Sequence, residues 1–355
     1  MQSWPVPLWR ICWPVSAGYK EKEMCRLRKC LLLLDGGTTN TRFTLVENNQ
    51  ILAQSQCRTG AVDAAREGQN HLLQAAVRRE MNALQNRWDC SIEEIYAAGM
   101  ITSDTGLCEI KHIEAPVDLF RLAASVQVRT LPEISNVPFC FVPGIRFETG
   151  GPDNTDMLRG EEAEVFGALD SEDDGKQLFI HFGSHNKIIY VENGSITQAA
   201  TTLSGELLWA VCNHTILKSS VPRPGTIGWK IDAASVQQGF RTAEQYGLSR
   251  ALFCARVHQK MHGLTQQQIL SQVLGALTYA DWQMFRHLFE LEYKKVTLYG
   301  RQVFTDAFLF CLPLMGIPLS LGQNLRVIRY EESGSLSVRG LLKIRQLHGA
   351  SVSNG

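Results

Sequence analysis

The sequence predicts an α/β protein built from two domains, and three features of the chain support this prediction. With 355 residues, the chain is longer than the size at which one hydrophobic core usually stops growing. Residues 31–51 and 178–196 share one pattern of apolar runs and polar turns. After each of them, helical and strand patterns follow, as in mixed α/β folds. We therefore expect one copy of a related fold in each half.

Each of the two similar stretches is predicted to be a β-hairpin. An apolar run leads into a tight polar turn that contains Gly37 or Gly183, and a second apolar run follows. The second run reaches Asn48–Asn49 in the first copy and Asn193–Gly194 in the second, and Asn-Gly is among the strongest short hairpin signals. Because the turn recurs together with its flanking strands, a shared function of the two turns is favoured.

The rest of the first half is predicted to contain a helix, a strand and a long irregular region. Apolar residues fall at helical spacing in residues 72–84, and the strand candidate Ile95–Ala98 follows. The loop GMITSDTG leaves this strand, and residues 115–150 are rich in proline and loop signals. The segment DNTDMLRGEEAEVFGAL indicates a helix that begins near Asp156, because acidic residues favour the first turns of helices.

The second half is predicted to be mainly helical after its hairpin. The predicted elements are a helix over residues 204–217, a helical region over 232–290, a strand over 296–299, a helix after Gly300, and strand candidates at Leu319 and 327–328. The polar, acidic segment Ser171–Gly175 is the natural linker between the halves. We expect a disordered extension over 1–28, domains over 29–172 and 173–347, and a tail over 348–355.

The composition excludes several classes of function. Lysine plus arginine and aspartate plus glutamate each number 35, so the chain has no net charge to attract nucleic acid or a membrane surface. No apolar stretch approaches the ~18 residues that cross a bilayer. The ten cysteines include no CxxC pair, which favours reduced thiols in a cytoplasmic protein. Residues 1–23 precede Met24 and are expected to come from an upstream start codon, with a targeting segment as the alternative.

The first turn, DGGTTN, has the residues of a phosphate-binding loop. Gly36 and Gly37 allow close approach of the backbone, and the amides and hydroxyls of Thr38 and Thr39 can donate to phosphate oxygens. Asp35 is a carboxylate suited to hold Mg²⁺, usually through water. The alternative is an ordinary glycine-rich hairpin turn.

The second turn, GSHNK at residues 183–187, again offers a glycine, a hydroxyl and amide donors, and it adds Lys187. His181 stands where the first copy has Asp35, so only the first turn carries an acid for a metal. Two such loops on facing domains could hold one nucleotide between them. The sequence contains neither GxxxxGK[ST] nor GxGxxG, so a Walker or Rossmann site is not supported.

Further motifs resemble a known family. The two turns and the Tyr299–Gly300 pair are similar to the phosphate and adenosine elements of the sugar kinase, Hsp70 and actin superfamily. More narrowly, over about residues 31–315 the chain resembles the 2-dehydro-3-deoxygalactonokinases. This resemblance is carried, in order, by GMITSDTG, IEAPVDL, FVPG, MLRGEEAEVFG, GSHNK, LSGELLWAVCNHTIL and ALFCARVHQKMHGL.

The resemblance implies two actin-like (ribonuclease H-like) domains around an interdomain nucleotide cleft. It also implies transfer of the γ-phosphoryl group of ATP to the 6-hydroxyl of 2-dehydro-3-deoxy-D-galactonate, with Mg²⁺ as cofactor, in galactonate catabolism. Such chemistry needs a proton acceptor beside the attacking hydroxyl. Glu161 is the first candidate, Glu162 the second and Asp156 the third. The alternative is that these acids only complement the dipole at a helix start.

The remaining site predictions concern the two substrates. The resemblance implies a sugar acid as substrate, and its carboxylate should meet a cation or a set of backbone amides. Arg42 and Arg159 are the candidate cations, with surface ion pairs as the alternative. The sugar pocket is predicted to include Met100, Thr102 and Ser103. The nucleotide is expected to contact Asp35, Gly37, Thr38, Thr39, Asn40, Gly183, Ser184, His185, Lys187 and Gly300.

Some positions depart from the family pattern. Gly36 stands where tryptophan is usual, and Ala276 and Thr278 stand where a glycine and an acid are usual. Residues 301–304, RQVF, are bulkier than expected beside adenine. These departures leave three alternatives open, which are a kinase for another sugar or sugar acid, a catalytically silent sugar-acid sensor, and a filament-forming protein. A homodimer also stays open.

Overall fold

A computed structural model provides the structure of the chain and describes residues 27–60, 70–148, 155–170, 175–222 and 229–352. The predicted N-terminal extension over residues 1–23 and most of the predicted linker lie outside the described residues. Among the described residues, no helix is both long enough and apolar enough to span a membrane.

The first half begins with the predicted hairpin and extends it to three strands. Its first elements are β1 (Arg28–Gly36), β2 (Thr41–Glu47), β3 (Gln50–Cys57), α1 (His71–Trp88) and β4 (Cys90–Gly99). The later elements are β5 (Ile113–Glu114), α2 (Leu119–Ala124), β6 (Gln127–Leu131), β7 (Ser135–Phe141), β8 (Ile145–Glu148), β9 (Thr155–Leu158) and α3 (Glu161–Ala168). The region predicted as irregular therefore contains short strands and a short helix.

The second half repeats the three-stranded start. Its elements are β10 (Lys176–Phe182), β11 (Asn186–Glu192), β12 (Ser195–Thr202), α4 (Ser204–His214), α5 (Ala233–Tyr246), α6 (Leu248–His262), α7 (Gln266–Phe289), β13 (Lys295–Gly300), α8 (Gln302–Met315), β14 (Leu325–Val327) and α9 (Tyr330–Val352). Short 3₁₀ turns cover Met100–Thr102 and Ile216–Ser219. The predicted helical region over 232–290 is confirmed as three successive helices.

The strand order shows the duplication directly. The first sheet runs β3-β2-β1-β4-β7-β6 and the second runs β12-β11-β10-β13-β14. In each, an antiparallel hairpin is followed by a parallel strand, β4 beside β1 and β13 beside β10. Gly36 pairs with Gly99, and Phe182 pairs with Gly300 in the equivalent register. Gly99 and Gly300 both have positive φ, and a Cβ on either would strike the carbonyl oxygen of its partner. The α/β fold with a duplicated sheet is therefore confirmed.

Among the described residues, three large hydrophobic cores hold these layers together, and a small fourth cluster joins α5, α6 and α7. One lies between the first sheet and α1, and another between the second sheet and helices α4, α5, α7 and α8. The third contains buried residues of both sheets, such as Leu33 and Phe179, together with Phe166 of α3 and Leu341 of α9. Helices α3 and α9 thus lie in the shared core, and the last helix packs against the first half of the chain.

The predicted helix start near Asp156 is wrong. Residues 155–158 form strand β9, in which Asp156 pairs with Phe147 of β8. The helix begins only at Glu161, after Gly160 turns the chain at φ 114°. Acidic residues were the signal for the helix, but the pairing of β9 with β8 is a contact between distant residues and leaves no mark in local sequence.

Candidate active site

The two predicted phosphate loops line the same cleft. Residues of the first turn, from Asp35 to Asn40, form one side, and Gly183, Ser184 and His185 of the second turn form the other. Because Asp35 and Ser184 border one cavity, a single ligand can contact both turns.

The first loop is closed by its own backbone. The Gly37 amide donates to the carbonyl oxygen of Asn40 at 2.8 Å. Asp35 at the end of β1 accepts from Arg42 at 2.9 Å, across the hairpin pair that joins β1 to β2. The fixed turn leaves Thr38 and Thr39 at the cleft, where their amides and hydroxyls can meet an anion.

The second loop is held from two sides. The Gly183 amide donates to Asn186 Oδ1 at 3.2 Å, and the carbonyl oxygen of Ser184 accepts from the Glu206 amide at 2.9 Å. A Cβ at Gly205 would lie 2.1 Å from the Gly183 oxygen, so only glycine allows α4 to start this close to the loop. His185 Nε2 lies 3.2 Å from Glu206 Oε1.

Glu161 is the first residue of α3 and borders the cleft. Its Oε1 is 3.1 Å from Lys187 Nζ and 3.7 Å from His181 Nδ1, and its Oε2 accepts from the Arg159 amide at 3.0 Å. Burial alone would raise the pKa of Glu161, but the Lys187 and His181 charges hold this pKa well below its usual range. Glu161 is therefore an anion throughout the neutral range.

The other two acids of α3 are in different electrostatic environments. Burial and the adjacent Glu161 charge raise the pKa of Glu162 to about 8, although the Gly160 amide donates to its carboxylate. Burial raises the pKa of Glu164 to about 7, with His181 opposing the shift and Asp35 adding to it. Glu162 is fully buried, whereas Glu164 faces the cleft.

A second cavity adjoins the cleft on the side of the first half. It shares Thr38, Met100, Arg159, Glu161 and His185 with the cleft. Its other lining residues include Ser103, Lys111, Arg146, Asp156, Lys187 and Thr201. Glu161 stands at the junction of the two cavities.

Arg159 is engaged by the protein itself. Its Nη1 donates to the carbonyl oxygen of Thr102 at 2.5 Å and to the Thr102 hydroxyl at 2.6 Å. Its Nη2 lies 3.1 Å from both the Ile110 carbonyl oxygen and His112 Nδ1. These contacts fix the loop that follows β4 against the start of α3.

A third, largely apolar cavity shares Arg301 with the cleft. It is bordered by Gly205 and Trp209 of α4, by Trp229, and by residues 301–304 at the start of α8. Phe304 turns its ring into the core, where it stacks on Phe182 at 6.2 Å, and Arg301 Nη2 donates to the Ser184 hydroxyl at 3.3 Å. Because Phe304 points into the core, the bulky residues 301–304 do not fill the cavity beside the second loop.

Most of the predicted site residues come together around these cavities. The cleft is lined by Asp35, Gly37, Thr38, Thr39, Asn40, Arg42, Met100, Arg159, Glu161, Gly183, Ser184, His185 and Gly300. Ser103, Asp156 and Lys187 border the adjoining cavity. Thr102 and Glu162 are fully buried and border neither. The roles assigned to all of these residues stay predictions.

Sequence reasoning missed three residues of the site region. Glu164 lies three positions after Glu161, a spacing that places both on one helix face and could have indicated it. Asn186, within the second turn, supports the loop rather than facing the cleft. Asp281 contacts Asn186 from α7, and no local pattern indicates that contact.

Comparison with known proteins identifies relatives of this chain. The family model described as 2-keto-3-deoxy-galactonokinase matches residues 35–329. A Rhizobium meliloti (strain 1021) protein described as a probable 2-dehydro-3-deoxygalactonokinase is 26% identical over 249 residues, which is 69% of this chain and 76% of that protein. The 2-dehydro-3-deoxygalactonokinase of Escherichia coli (strain K12) is 23% identical over 70% of this chain and 78% of its own.

Solved structures share the fold. A crystal structure from Sinorhizobium meliloti, described as a candidate 2-dehydro-3-deoxygalactonokinase, superposes with a TM-score of 0.70 at 20% identity and covers 89% of this chain and 98% of its own. The ligand-bound xylulose kinase of Lactobacillus acidophilus superposes with a TM-score of 0.50 at 10% identity, covering 91% and 90%. The predicted actin-like architecture is therefore confirmed.

Proposed function

Since this chain belongs to the 2-keto-3-deoxy-galactonokinase family, we propose that it transfers the γ-phosphoryl group of ATP to the 6-hydroxyl of 2-dehydro-3-deoxy-D-galactonate. The observation that carries the proposal is the junction of two cavities at Glu161. One cavity is bordered by both phosphate loops and the other by groups that suit a sugar acid. A phosphoryl group held in the first would face a hydroxyl held in the second.

The nucleotide is assigned to the cleft and to the apolar cavity that continues it. The first loop offers Thr38, Thr39 and Asn40 to the phosphates, and the second offers Ser184 and His185. Gly300 permits close approach between β13 and Phe182, the residue that precedes the second loop. The adenine base is assigned to the apolar cavity, where Trp209 and Trp229 supply flat aromatic surfaces.

The acids of the cleft fit a hard divalent cation. Asp35 and Glu164 both border it, and Glu164 Oε2 is buried without a hydrogen-bond partner among the described residues. No described group of three or more His, Cys, Asp or Glu could hold a metal alone, so phosphate oxygens would have to complete the ligand set. Mg²⁺ bound there would neutralise charge on the phosphates during transfer.

The sugar acid is assigned to the cavity on the other side of Glu161. Arg42 is paired with Asp35, and the terminal N–H groups of Arg159 point to Thr102, Ile110 and His112. Lys111 borders this cavity and forms no ion pair with the described residues. We therefore place Lys111 ahead of Arg42 and Arg159 as the partner of the substrate carboxylate.

Glu161 is assigned as the proton acceptor. Its fixed negative charge orients the sugar hydroxyl through a hydrogen bond, and its carboxylate takes the proton as the bond to phosphorus forms. Phosphoryl transfer requires little covalent help from the protein, so a weakly basic carboxylate is sufficient when positioning is accurate. Closure of the halves around the substrates would limit transfer to water.

A substrate panel tests the proposal. The purified protein is mixed with ATP, Mg²⁺ and one acid from a set of aldonic and 2-keto-3-deoxy acids, and ADP release and the phosphorylated product are measured. We expect turnover to be highest with 2-dehydro-3-deoxy-D-galactonate and to be lost in Asp35→Asn, which controls for contaminating kinases. Preference for another sugar acid would change the assigned substrate, and no turnover with any acid would indicate a silent sensor.

A further inference from the structure

A buried carboxylate on α7 stands behind the second phosphate loop. Asp281 is 2% exposed, and no cationic side chain pairs with it within the described part of the chain. It accepts hydrogen bonds from Asn186 Nδ2 at 2.8 Å, from the Thr202 hydroxyl at 2.6 Å and from the Ser204 hydroxyl at 2.5 Å. A buried anion satisfied only by neutral donors is costly, so its contacts call for a reason beyond packing.

The three donors of Asp281 belong to the elements that hold the loop. Asn186 is fully buried and uses its other side-chain atom, Oδ1, to accept from the Gly183 amide. Thr202 ends β12, and Ser204 begins α4. Asn186 therefore links Asp281 to the backbone of Gly183 through two hydrogen bonds, one from each end of its side-chain amide.

The start of α4 supports the same loop from its other side. The Glu206 amide donates to the Ser184 carbonyl oxygen, and Gly205 lies against the backbone of Gly183. Ser204 and Asn186 both donate hydrogen bonds to Asp281. The Asp281 carboxylate therefore fixes the distance between Asn186 and α4, the helix that supports Ser184. Loss of this carboxylate would free both sides of the loop together.

We propose that Asp281 is a positioning residue for nucleotide binding, which holds the Gly183–Ser184–His185 turn in the conformation that accepts phosphate. The expected effect on KM for ATP rests on the proposed kinase function, whereas the effect on the conformation of the turn does not. Asp281 does not border the cleft or the adjoining cavity, so it acts through Asn186 and α4 rather than by touching a substrate.

The test compares Asp281→Ala with Thr278→Val. Thr278 lies on the same helix, is 3% exposed and donates only to the helix carbonyl of Leu274, so it controls for loss of a buried polar group. We expect Asp281→Ala to raise KM for ATP by roughly 10-fold to 100-fold, since small displacements of a binding group cost factors of this size. KM for the sugar acid should stay within about 2-fold, and Thr278→Val should leave both constants within that range.

A second readout does not depend on the proposed function. Hydrogen exchange of the unliganded protein should become faster at the amides of residues 183–187 in Asp281→Ala and stay unchanged there in Thr278→Val. If Asp281→Ala does not fold, Thr202→Val serves instead, because it removes one of the three hydrogen bonds to Asp281. This variant should raise KM for ATP and speed exchange at residues 183–187, each by about 5-fold.

The outcomes separate the two proposals. Inactive wild-type protein would reject the kinase function, and exchange at residues 183–187 would still decide the role of Asp281. Unchanged exchange in Asp281→Ala, or an equal rise in KM for ATP and for the sugar acid, would reject the positioning role.

Discussion

Among the acids of α3, Glu161 alone borders both substrate cavities. We expect Glu161→Gln to lower kcat by ~10² or more, because the variant keeps the shape of the side chain but cannot take up a proton. The measurement is steady-state turnover at saturating ATP and sugar acid. Asp156→Asn is the matched control, since Asp156 borders only the sugar cavity and accepts from Thr201. A larger loss in Asp156→Asn than in Glu161→Gln would transfer the role to Asp156.

Lys111 is expected to recognise the substrate carboxylate. Lys111→Ala should raise KM for the sugar acid by roughly 10-fold, because one charge-assisted hydrogen bond is lost, while KM for ATP and the melting temperature stay nearly unchanged. Lys218→Ala removes an exposed lysine outside these cavities and controls for net charge. An equal effect of Lys111→Ala on a neutral sugar analogue would contradict carboxylate recognition.

Glu162 links stability to pH. Its pKa is raised from 4.5 to about 8, so the folded state holds this proton more tightly than the unfolded state does. The stabilisation is fully present below pH 4.5 and is lost as the pH rises through 8. From this group alone, the free energy of unfolding should fall by at most about 1.4 kcal/mol per pH unit in that window.

Glu162→Gln removes this titration, so its unfolding free energy should fall less steeply with pH than that of the wild type. Urea unfolding at several pH values measures both slopes, and Glu93→Gln, at an exposed ion pair with Lys29, is the control. Parallel slopes in wild type and Glu162→Gln would show that Glu162 does not hold its proton in the folded state.

At the same scale, sequence could predict residues but not all of their surroundings. The sequence predicts Asp35, Thr38 and Ser184 as site residues, because each belongs to a short motif of consecutive residues, DGGTTN or GSHNK. The hydrogen bonds of Arg159 are made with Thr102 and His112, in a loop some fifty positions earlier in the chain. The hydrogen bond between Asn186 and Asp281 likewise joins two elements that are distant in sequence. Pairings of this kind are set by the fold and leave no local pattern.

At the level of elements, α3 and α9 pack with almost no space between their backbones. A Cβ at Gly340 would lie 1.9 Å from the Ala163 carbonyl oxygen, and a Cβ at Gly167 would lie 1.9 Å from that of Leu336. We expect Gly340→Ala to force the helices apart and to destabilise the protein by ~1–3 kcal/mol. Because α3 carries Glu161 at its first turn, kcat should fall as well.

The control for Gly340→Ala is Gly349→Ala on the same helix. A Cβ at Gly349 would meet no heavy atom within 4 Å, so alanine should be neutral or slightly stabilising there. Chemical denaturation and turnover of the two variants give the comparison. Equal stability of both would mean that the helices can separate without cost.

Elements were predictable where their signals are local. Both hairpins carry their turn residues in sequence, and Asn48, Asn49 and Asn193 adopt the positive φ that such turns require. Strand β9 has no such local signal, because its four residues acquire their conformation by pairing with β8. The boundary predicted between residues 347 and 348 falls inside α9, which runs to Val352 and packs on α3.

At the scale of the whole molecule, the substrates are assigned to the space between two related halves. We expect ATP analogue and sugar acid together to bring the halves closer, and each ligand alone to do so less. Small-angle scattering of the free and doubly liganded protein measures the change in radius of gyration. An unchanged radius at saturation with both ligands would mean that the cleft is already closed before binding.

The duplication was readable from sequence because each hairpin repeats its own local pattern, whereas the order of the sheets was not. The match between β3-β2-β1-β4 and β12-β11-β10-β13 depends on parallel pairings between distant strands. The predicted cytoplasmic location, the homodimer and the domain boundaries stay predictions.

The position of α9 also affects how the protein is made. The shared core requires α9, which the ribosome synthesises after α3 and after both sheets, although this helix packs on the first half. During translation, the apolar side of α3 stays uncovered until α9 has been synthesised. A nascent chain halted before residue 330 should therefore attract chaperones and lack enzymatic competence even though every predicted substrate contact has already been synthesised.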